Sequence, residues 1–373
     1  MVTFVHFADA HLGKPFAGLA PDKGKLRRAD LLRAVERCFE EAERRHADAL
    51  LIAGDLFDAE NAQPDQAQAV WALARRLGES TGARVFIAPG NHDPAEPGSP
   101  YLDAEVPQNV HVFRKPRWER AELAGRAAIW GIAYDPDRPG RNVIAELREA
   151  LADDDPLPRV VLVHAVHRGL ATDEERYFPF ADDDLAGLPV AYVALGHAHA
   201  ARAVGPGAPP AWYPGSPELV EHEPHESEHG ALAVTVSSEG TRVERLPLGR
   251  RRCLRLTVDV SRCAAQADVL REVLREADSE AVVRVVLAGH RPAEFELDVD
   301  ELAAALRERL FWAEVRDETV LPPELEAPEG TVRGEFIRRM REKLAASDDP
   351  EQRRIIEDAL RFGLLALEGK LRR

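Results

Sequence analysis

Short apolar runs alternate with helical patterns along the first two thirds of the chain, a rhythm that is typical of α/β folds. Nearly every predicted strand runs directly into a polar segment that is rich in histidine or aspartate. The predicted strands are 3–7, 49–52, 84–87, 127–130, 160–163 and 191–194. Because ligand sites in layered α/β folds gather at the carboxyl ends of strands, we expect these polar segments to converge on one site.

The pattern changes near 248–252, where a basic Gly-Arg-Arg-Arg run follows a predicted strand at 232–236. Strands at 253–258 and 282–287 and helices at 265–277 and 302–310 predict a small α+β module. A proline-rich break at 321–328 ends it, and two helices follow at 334–346 and 350–367, the second with Ser347, Asp348 and Asp349 as candidate caps. We therefore predict three parts: 1–248, 249–320 and 329–373.

The composition is typical of an ordinary globular protein. It has 373 residues, 45% hydrophobic and 31% charged, enough for roughly two domains with a real core. Its three cysteines form no C-x-x-C pair, which argues against disulfides and thiolate zinc sites and is consistent with a reducing cytoplasm. No stretch approaches the about 20 apolar residues of a membrane span, and the amino terminus lacks the features of an export signal. A cytoplasmic protein without a membrane partner is expected.

The net charge of −16 argues against a protein whose whole surface grips DNA, since Lys and Arg drive that binding. The charge is uneven: residues 331–373 carry a net +3, and the rest of the chain carries −19. A nucleic-acid substrate would have to be held by local patches, by bound metals or by a partner.

The polar segments after the strands contain oxygen and imidazole ligands suited to a two-metal hydrolase. Asp9 and His11 lie two residues apart, so both can face one ion, and Gly54 lets the backbone turn sharply before Asp55. The complete candidate set is Asp9, His11, Asp55, Asn91, His164, His197 and His199. Each residue alone also fits a turn, a helix cap or a structural histidine. The joint pattern favours the metal site.

These motifs resemble the calcineurin-like metallophosphoesterase superfamily and, within it, the bacterial SbcD-type and YhaO-type DNA-repair nuclease subunits. The resemblance rests on five blocks, 7–13, 53–58, 89–93, 162–164 and 195–199, and on the Tyr-Pro-Gly-Ser-Pro segment at 213–217. It implies a four-layer α/β/β/α metallophosphoesterase core with a small α+β capping domain and a C-terminal helical segment.

The resemblance also implies how the ligands are divided between two divalent ions, typically Mn²⁺. Asp9, His11 and His199 would hold one ion, Asn91, His164 and His197 the other, and Asp55 would bridge them. His92 would protonate the leaving oxygen or stabilise the transition state, and Asp58 could orient His92. Some family members have histidine at the position of Asp58, so a helix-cap role for this aspartate stays open.

Basic side chains after the first motif are candidate DNA contacts, although such runs are commonly just solvated faces. They are Lys14, Lys23, Lys25, Arg27 and Arg28, and a second cluster holds Arg114, Lys115 and Arg117. An acidic segment that contains His222, His225 and His229 is interpreted as a solvated hairpin loop and not as another metal site.

Three functions fit these observations. The favoured one is a two-metal DNA nuclease, exonuclease or endonuclease, acting in repair beside a coiled-coil ATPase of the SbcC type. The chain has no phosphate-binding loop of its own, so any ATP dependence must come from a partner. The alternatives are a phosphodiesterase or phosphatase for nucleotides and other small esters, and a non-enzymatic scaffold. The intact ligand set opposes the scaffold, and the added domains oppose the small-ester enzyme.

The C-terminal helices are the predicted docking site for the ATPase. Ile356, Leu360, Leu364 and Leu367 form an apolar stripe that Ile355, Ala359 and Phe362 widen. Packing of this face on the protein's own body is the alternative. Cleavage polarity, strand preference, the physiological metal and the choice between monomer and homodimer stay open from sequence.

Overall fold

The computed structural model describes residues 1–58, 61–103, 105–151, 155–170, 176–205, 207, 209–220, 228–291, 295–320, 327–328 and 330–367. The chain divides into two compact units, Met1–Cys253 and Leu254–Arg373. The division falls shortly after the boundary predicted at 248, and the C-terminal helices belong to the same unit as the α+β elements.

The first unit contains the strands and helices that carry the predicted ligands. Its described strands are β1 (Val2–Phe7), β2 (Ala49–Ile52), β3 (Arg84–Ile87), β4 (Val110–Val112), β5 (Glu119–Leu123), β6 (Ala127–Gly131), β7 (Arg159–His164), β8 (Tyr192–Gly196), β9 (Arg202–Val204), β10 (Ala211–Tyr213), β11 (Gly230–Ser237) and β12 (Gly240–Pro247). Its described helices are α1 (Pro21–Arg44), α2 (Pro64–Thr81), α3 (Pro100–Asp103), α4 (Val143–Ala150) and α5 (Asp182–Leu185).

These strands form two six-stranded sheets, ordered β12-β11-β1-β2-β3-β4 and β5-β6-β7-β8-β10-β9. In the first sheet β1 to β4 pair in parallel, with Phe4 beside Ala49 and Leu50 beside Val85. In the second sheet β6, β7 and β8 also pair in parallel. Parallel pairing brings the carboxyl ends of neighbouring strands to one edge of each sheet, and the predicted ligands follow those ends.

The hydrophobic core is layered in the way that side-chain alternation along a strand requires. In β1, Val5 and Phe7 pack toward α1 and α2, whereas Phe4 faces the second sheet. The layer between the sheets also contains Ile129 and Tyr192 from the second sheet. A further cluster packs α4 and α5 on the outer face of that sheet. This arrangement confirms the predicted four-layer α/β/β/α core.

The second unit contains a three-stranded sheet and four described helices. The sheet has the order β13-β14-β15, formed by β13 (Cys253–Asp259), β14 (Val282–Ala288) and β15 (Trp312–Asp317). Its helices are α6 (Gln266–Glu276), α7 (Val299–Arg307), α8 (Val332–Ala345) and α9 (Pro350–Leu367). The proline-rich break at 321–328 lies mostly outside the described residues.

Helices α8 and α9 pack on each other through buried Ile337, Leu360 and Leu364. Part of the apolar stripe of α9 is therefore covered by the protein itself. Ile355 and Phe362 remain 62% and 44% exposed, although the Phe362 ring packs perpendicular to the ring of His290 with their centroids 5.0 Å apart. No helix within the described part of the chain has the length and apolar character needed to cross a membrane.

Candidate metal centre

The loops after β1 and β2 hold three ligand candidates in strained backbone conformations. Asp9, His11 and Asp55 have φ of 57°, 47° and 50°, a left-handed region that costs a non-glycine residue about 1–3 kcal/mol. The loops are joined by backbone hydrogen bonds from Asp9 N to Gly54 O (3.1 Å) and from His11 N to Asp55 O (2.9 Å). The pairing of β1 with β2 thus continues past the strand ends and fixes where the three side chains point.

Two glycines let the ligand loops approach one another closely. Gly54 has φ of +86°, and a Cβ at this position would lie 2.4 Å from Nδ1 of His164. A Cβ on Gly90 would lie 2.2 Å from Oδ1 of Asp55. The sharp turn expected at Gly54 is present, and any side chain at either glycine would displace a ligand candidate.

The structure brings all seven predicted ligands together. Nε2 of His11 lies 3.2 Å from Nε2 of His199 and 3.8 Å from Oδ2 of Asp55. Two nitrogen ligands of one tetrahedral ion stand about 3.4 Å apart, since each metal–nitrogen bond is about 2.0–2.1 Å. The backbone N–H of His197 donates to the carboxylate of Asp9 at 3.0 Å, which links the last motif to the first.

The second half of the cluster surrounds His164, a buried residue at the end of β7. Its Nε2 lies 3.0 Å from Oδ1 of Asn91, 3.4 Å from Oδ2 of Asp55 and 3.4 Å from Nδ1 of His197. Nδ1 of His164 donates to the carbonyl of Ala53 at 2.9 Å, so Nε2 of the neutral ring is an acceptor. This nitrogen faces two acceptor oxygens, so the contact needs positive charge, which either a bound cation or a proton on Nε2 can supply.

The pKa shifts point to the same requirement for positive charge. Burial alone would lower the pKa of His164, but the carboxylates of Asp55 and Asp9 outweigh it and raise the pKa to about 9. Burial lowers the pKa of His11 to about 3, which keeps its imidazole neutral and able to act as a ligand. The donor set therefore suits divalent cations, with His164 taking a proton when none is bound.

Three overlapping groups of donor atoms, each within 4.8 Å of one another, could hold ions. They are Asp9 with His11 and His199, Asp9 with Asp55 and His164, and His11 with Asp55 and His92. Asp9, His11 and Asp55 each belong to two of these groups, and together the groups support two divalent ions.

His92 and Asn91 are neighbours whose side chains diverge. The amide of Asn91 contacts His164, whereas the exposed ring of His92 lies 4.8 Å from the ring of His11. The backbone N–H of His92 donates to Oδ1 of Asp55 at 2.8 Å. A ring nitrogen of His92 also comes close enough to His11 and Asp55 to share an ion, so its role as proton donor stays a prediction.

Asp58 is half-buried and accepts a hydrogen bond from the Asn61 amide at 3.2 Å. It does not cap α2, because that helix begins at Pro64 with Gln63 as its N-cap. The helix-cap interpretation of Asp58 is therefore wrong, and its proposed orientation of His92 stays a prediction.

Asp93 is a site residue to which the sequence pattern assigned no role. Its fully buried carboxylate accepts backbone hydrogen bonds from Asp55 (3.1 Å), Gly90 (2.7 Å) and Phe57 (3.1 Å), and a side-chain bond from Tyr101. Burial raises its pKa, and the charge of Asp55 adds to the rise. Asp93 thus clamps the loop after β2 to the loop after β3. Its place in the Gly-Asn-His-Asp motif was the only available signal.

The predicted DNA contact at Arg27 is wrong. This side chain is buried and pairs with Asp30 and Glu218, each at 3.3 Å, while Arg251 also binds Asp30 at 2.7 Å. A basic stretch of sequence shows that the segment is positively charged, but it does not show which of its side chains are buried. Lys25 is exposed, Lys14 and Lys23 are half-buried, and half-buried Arg28 donates to the carbonyl of Pro15.

His229 also differs from its interpretation as part of a solvated loop. It is buried, with Nδ1 3.0 Å from the hydroxyl oxygen of Ser216, and burial lowers its pKa to about 4. The other two histidines of that segment, His222 and His225, lie outside the described residues.

Similarity to known proteins agrees with this geometry. The chain is 29% identical over 327 residues to "Uncharacterized metallophosphoesterase YhaO" from Bacillus subtilis, a match that covers 83% of this chain and 78% of that protein. It is 27% identical to "DNA double-strand break repair protein Mre11" from Methanopyrus kandleri, covering 95% of this chain and 80% of the relative. The Mre11 of Aeropyrum pernix is 29% identical, covering 70% of this chain and 64% of the relative.

Among solved structures, a dimetal phosphatase from Danio rerio aligns with a TM-score of 0.42 at 13% identity, covering 65% of this chain and 95% of that one. The family model for calcineurin-like phosphoesterases matches residues 2–201, more than half of the chain. That span contains all seven predicted ligands. The protein therefore belongs to the calcineurin-like phosphoesterase family and is a metal-dependent phosphoesterase.

Proposed function

We propose that the protein is a two-metal-dependent DNA nuclease that hydrolyses phosphodiester bonds in DNA repair. The observation that carries the proposal is the convergence of seven oxygen and nitrogen ligands on one site, in which Asp55 lies close to both His11 and His164. The nuclease assignment is supported by the Mre11-named relatives, one of which matches 95% of the chain. The physiological metal in this proposal is Mn²⁺.

In this proposal the seven candidate ligands are divided between two cations. Asp9, His11 and His199 hold one cation, and Asn91, His164 and His197 hold the other, with Asp55 shared between them. When bound, the cations supply Lewis-acid activation of water and neutralise negative charge on the phosphate. The hydrogen bond from His164 to Ala53 keeps that ring in the tautomer that a metal ligand needs.

His92 supplies the proton chemistry of the proposed reaction. Its exposed imidazole stands beside the donor cluster and can give a proton to the oxygen that leaves phosphorus. Water adds across the P–O bond, so a diester yields a monoester and an alcohol. Asp93 is a positioning residue. Its hydrogen bonds hold the backbone that carries Asp55 and His92.

The test is a side-by-side assay of the full chain with Mn²⁺ on linear duplex DNA, single-stranded DNA and a chromogenic phosphodiester. A DNA nuclease releases nucleotides or fragments from at least one DNA. Turnover of the chromogenic ester without any DNA cleavage would favour an enzyme for small phosphodiesters. Repeating the assay with Mg²⁺, Zn²⁺ and Co²⁺ after chelation tests the choice of metal.

The proposed partner is an ATPase of the SbcC type that docks on α8 and α9. The support is the exposed apolar side chains of Ile355 and Phe362, which lie on the face of α9 opposite the one that packs on α8, and the exposed Leu367 at the end of the helix. Truncation after Glu329, or Ile355→Asp with Phe362→Asp, should abolish co-purification with the ATPase and spare hydrolysis of the chromogenic ester. Asp358→Ala on the same helix is the matched control. Co-purification of the truncated chain would place the docking site elsewhere.

A further inference from the structure

A cleft of about 740 Å³ opens beside the donor cluster. Its walls are the loops that follow β1, β2 and β3, and it reaches from Lys14 and Phe16 on one side, past Asn61, to His92 on the other. We call it the Phe16 cleft. Asn91, a ligand candidate, also lines it, so one end of the cleft meets the metal centre directly.

The walls of the Phe16 cleft are held in place by backbone contacts. Asp58 N donates to Leu12 O at 2.8 Å, and a Cβ on Gly13, whose φ is +104°, would lie 2.8 Å from the backbone of Ala62. The first two loops are thus pressed together. On the opposite wall, Ser99 N donates to Glu96 O at 3.0 Å. A cleft built this way exists before a ligand arrives, as small-molecule sites commonly do.

The position of His92 indicates which part of a bound substrate enters the Phe16 cleft. A phosphate held at the donor cluster turns its leaving oxygen toward the group that protonates it. His92 occupies that place in the proposed function, and it lines the Phe16 cleft. The group attached to the leaving oxygen must therefore extend into this cleft.

The side chains in the cleft fit a nucleoside. Phe16 offers an aromatic ring, and the guanidinium of Arg27 lies 5.2 Å from its centroid. Because Arg27 is fixed by its buried ion pairs, it anchors the ring. Nucleic-acid bases stack on aromatic rings with little dependence on sequence, since every base has a π-face. Lys14 lines the same cleft, and its backbone N–H donates to the carbonyl of His11 at 3.1 Å, so its positive charge lies on the loop that carries this ligand candidate.

Resting on the proposed function, we infer that the Phe16 cleft binds the nucleoside that departs from the cleaved phosphodiester. The base stacks on Phe16, and Lys14 faces the adjoining phosphate. In the hydrolysis that follows, the oxygen of water stays on phosphorus and one of its protons passes to solvent. The electron pair of the broken P–O bond goes to the leaving oxygen, which takes its proton from His92.

Kinetics of the Mn²⁺-loaded full chain test this inference with two substrates. A thymidine hexanucleotide has a nucleoside in its leaving group, whereas bis(2,2,2-trifluoroethyl) phosphate releases only trifluoroethanol, which has no aromatic ring to stack on Phe16. Phe16→Leu should lower kcat/KM about tenfold on the hexanucleotide and leave it within about twofold on the trifluoroethyl ester. Phe16→Tyr should retain activity on both. Equal losses on both substrates would overturn the inference.

Lys14→Ala should likewise lower kcat/KM on the hexanucleotide alone, and Lys115→Ala is its matched control. Lys115 is exposed and pairs with Glu119 outside the cleft. An equal effect of the two lysine variants would show that general charge, and not the cleft, is responsible.

A binding measurement tests nucleoside binding in the Phe16 cleft separately from the proposed nuclease activity. In the His92→Gln background, oligonucleotides with 2-aminopurine at successive positions should show quenching at one position, and Phe16→Leu should remove it. This measurement needs no turnover. Intact quenching together with no DNA hydrolysis by the chain that retains His92 would reject the nuclease proposal and keep the cleft as a nucleoside site. Absence of quenching at every position would reject the cleft even if DNA is cleaved.

Discussion

Asp93→Asn is the sharpest test of how the metal loops are held. The buried carboxylate of Asp93 accepts four hydrogen bonds, two on each oxygen. An asparagine keeps one oxygen and replaces the other with an amide nitrogen, which donates. The hydroxyl of Tyr101 can turn to accept from that nitrogen, so one or two of the four donors lose their acceptor.

The magnitude follows from the number of orphaned donors. A buried donor without a partner costs about 1–3 kcal/mol, so the variant should lose roughly 1–6 kcal/mol of unfolding free energy. Tyr101→Phe removes one donor and leaves the carboxylate intact, so its loss should be smaller. Because Asp93 positions the backbone of Asp55, the affinity for Mn²⁺ should fall by about 10–100-fold in the asparagine variant.

The assay combines urea unfolding with titration of Mn²⁺ into the metal-free protein, where free Mn²⁺ is followed by electron paramagnetic resonance. Asp182→Asn is the control, since that carboxylate is 57% exposed and its partner His167 lies outside the donor cluster. A loss below about 1 kcal/mol together with unchanged Mn²⁺ affinity would refute the clamping role of Asp93.

Three further predictions concern individual residues. Asp55→Ala should reduce hydrolysis of a chromogenic diester to less than about a tenth of the wild-type rate, because both ions lose a ligand; higher activity would contradict the bridging assignment. His92→Gln should keep two Mn²⁺ per chain by elemental analysis while turnover falls about 10²–10⁴-fold; metal loss in proportion to activity would make His92 a ligand. Burial lowers the pKa of His229 to about 4, whereas a histidine in the unfolded chain has a pKa of about 6.5. Between pH 6.5 and pH 4, roughly, the unfolded chain therefore binds more protons than the folded one. The free energy of unfolding should fall by about 3 kcal/mol in total as the pH is lowered through this range. Thermal unfolding of His229→Gln in EDTA should show a shallower pH dependence than wild type, and parallel curves would contradict this origin.

The regular elements of the first unit were predictable from hydrophobic pattern. The strands expected at 49–52 and 84–87 match β2 and β3 residue for residue, because each is a fully apolar or nearly apolar run between polar loops. Three-residue strands such as β4, β9 and β10 are too short to show a period and were not predicted.

The ligand residues were predictable for a related reason. Asp9 and His11 are placed by backbone that continues directly from a strand, so position along the chain determined their position in space. Arg27 could not be placed in this way, since one of its partners, Glu218, is 191 residues away. Asp93 belongs to a recognisable sequence motif. Its role was not predictable, because the backbone N–H groups of Asp55 and Phe57 reach its carboxylate only when the loops are folded.

The donor cluster draws on both sheets, and this has a consequence for the stability of the first unit. Asp9, Asp55 and Asn91 follow strands of one sheet, whereas His164, His197 and His199 end or follow strands of the other. A cation that engages both groups can bind only when the two sheets are stacked. By mass action, a ligand at a hundred times its Kd adds about 2.7 kcal/mol to the state that binds it. The ions would then hold the two sheets of the first unit together, and chelation would lower the melting temperature of that unit, Met1–Cys253.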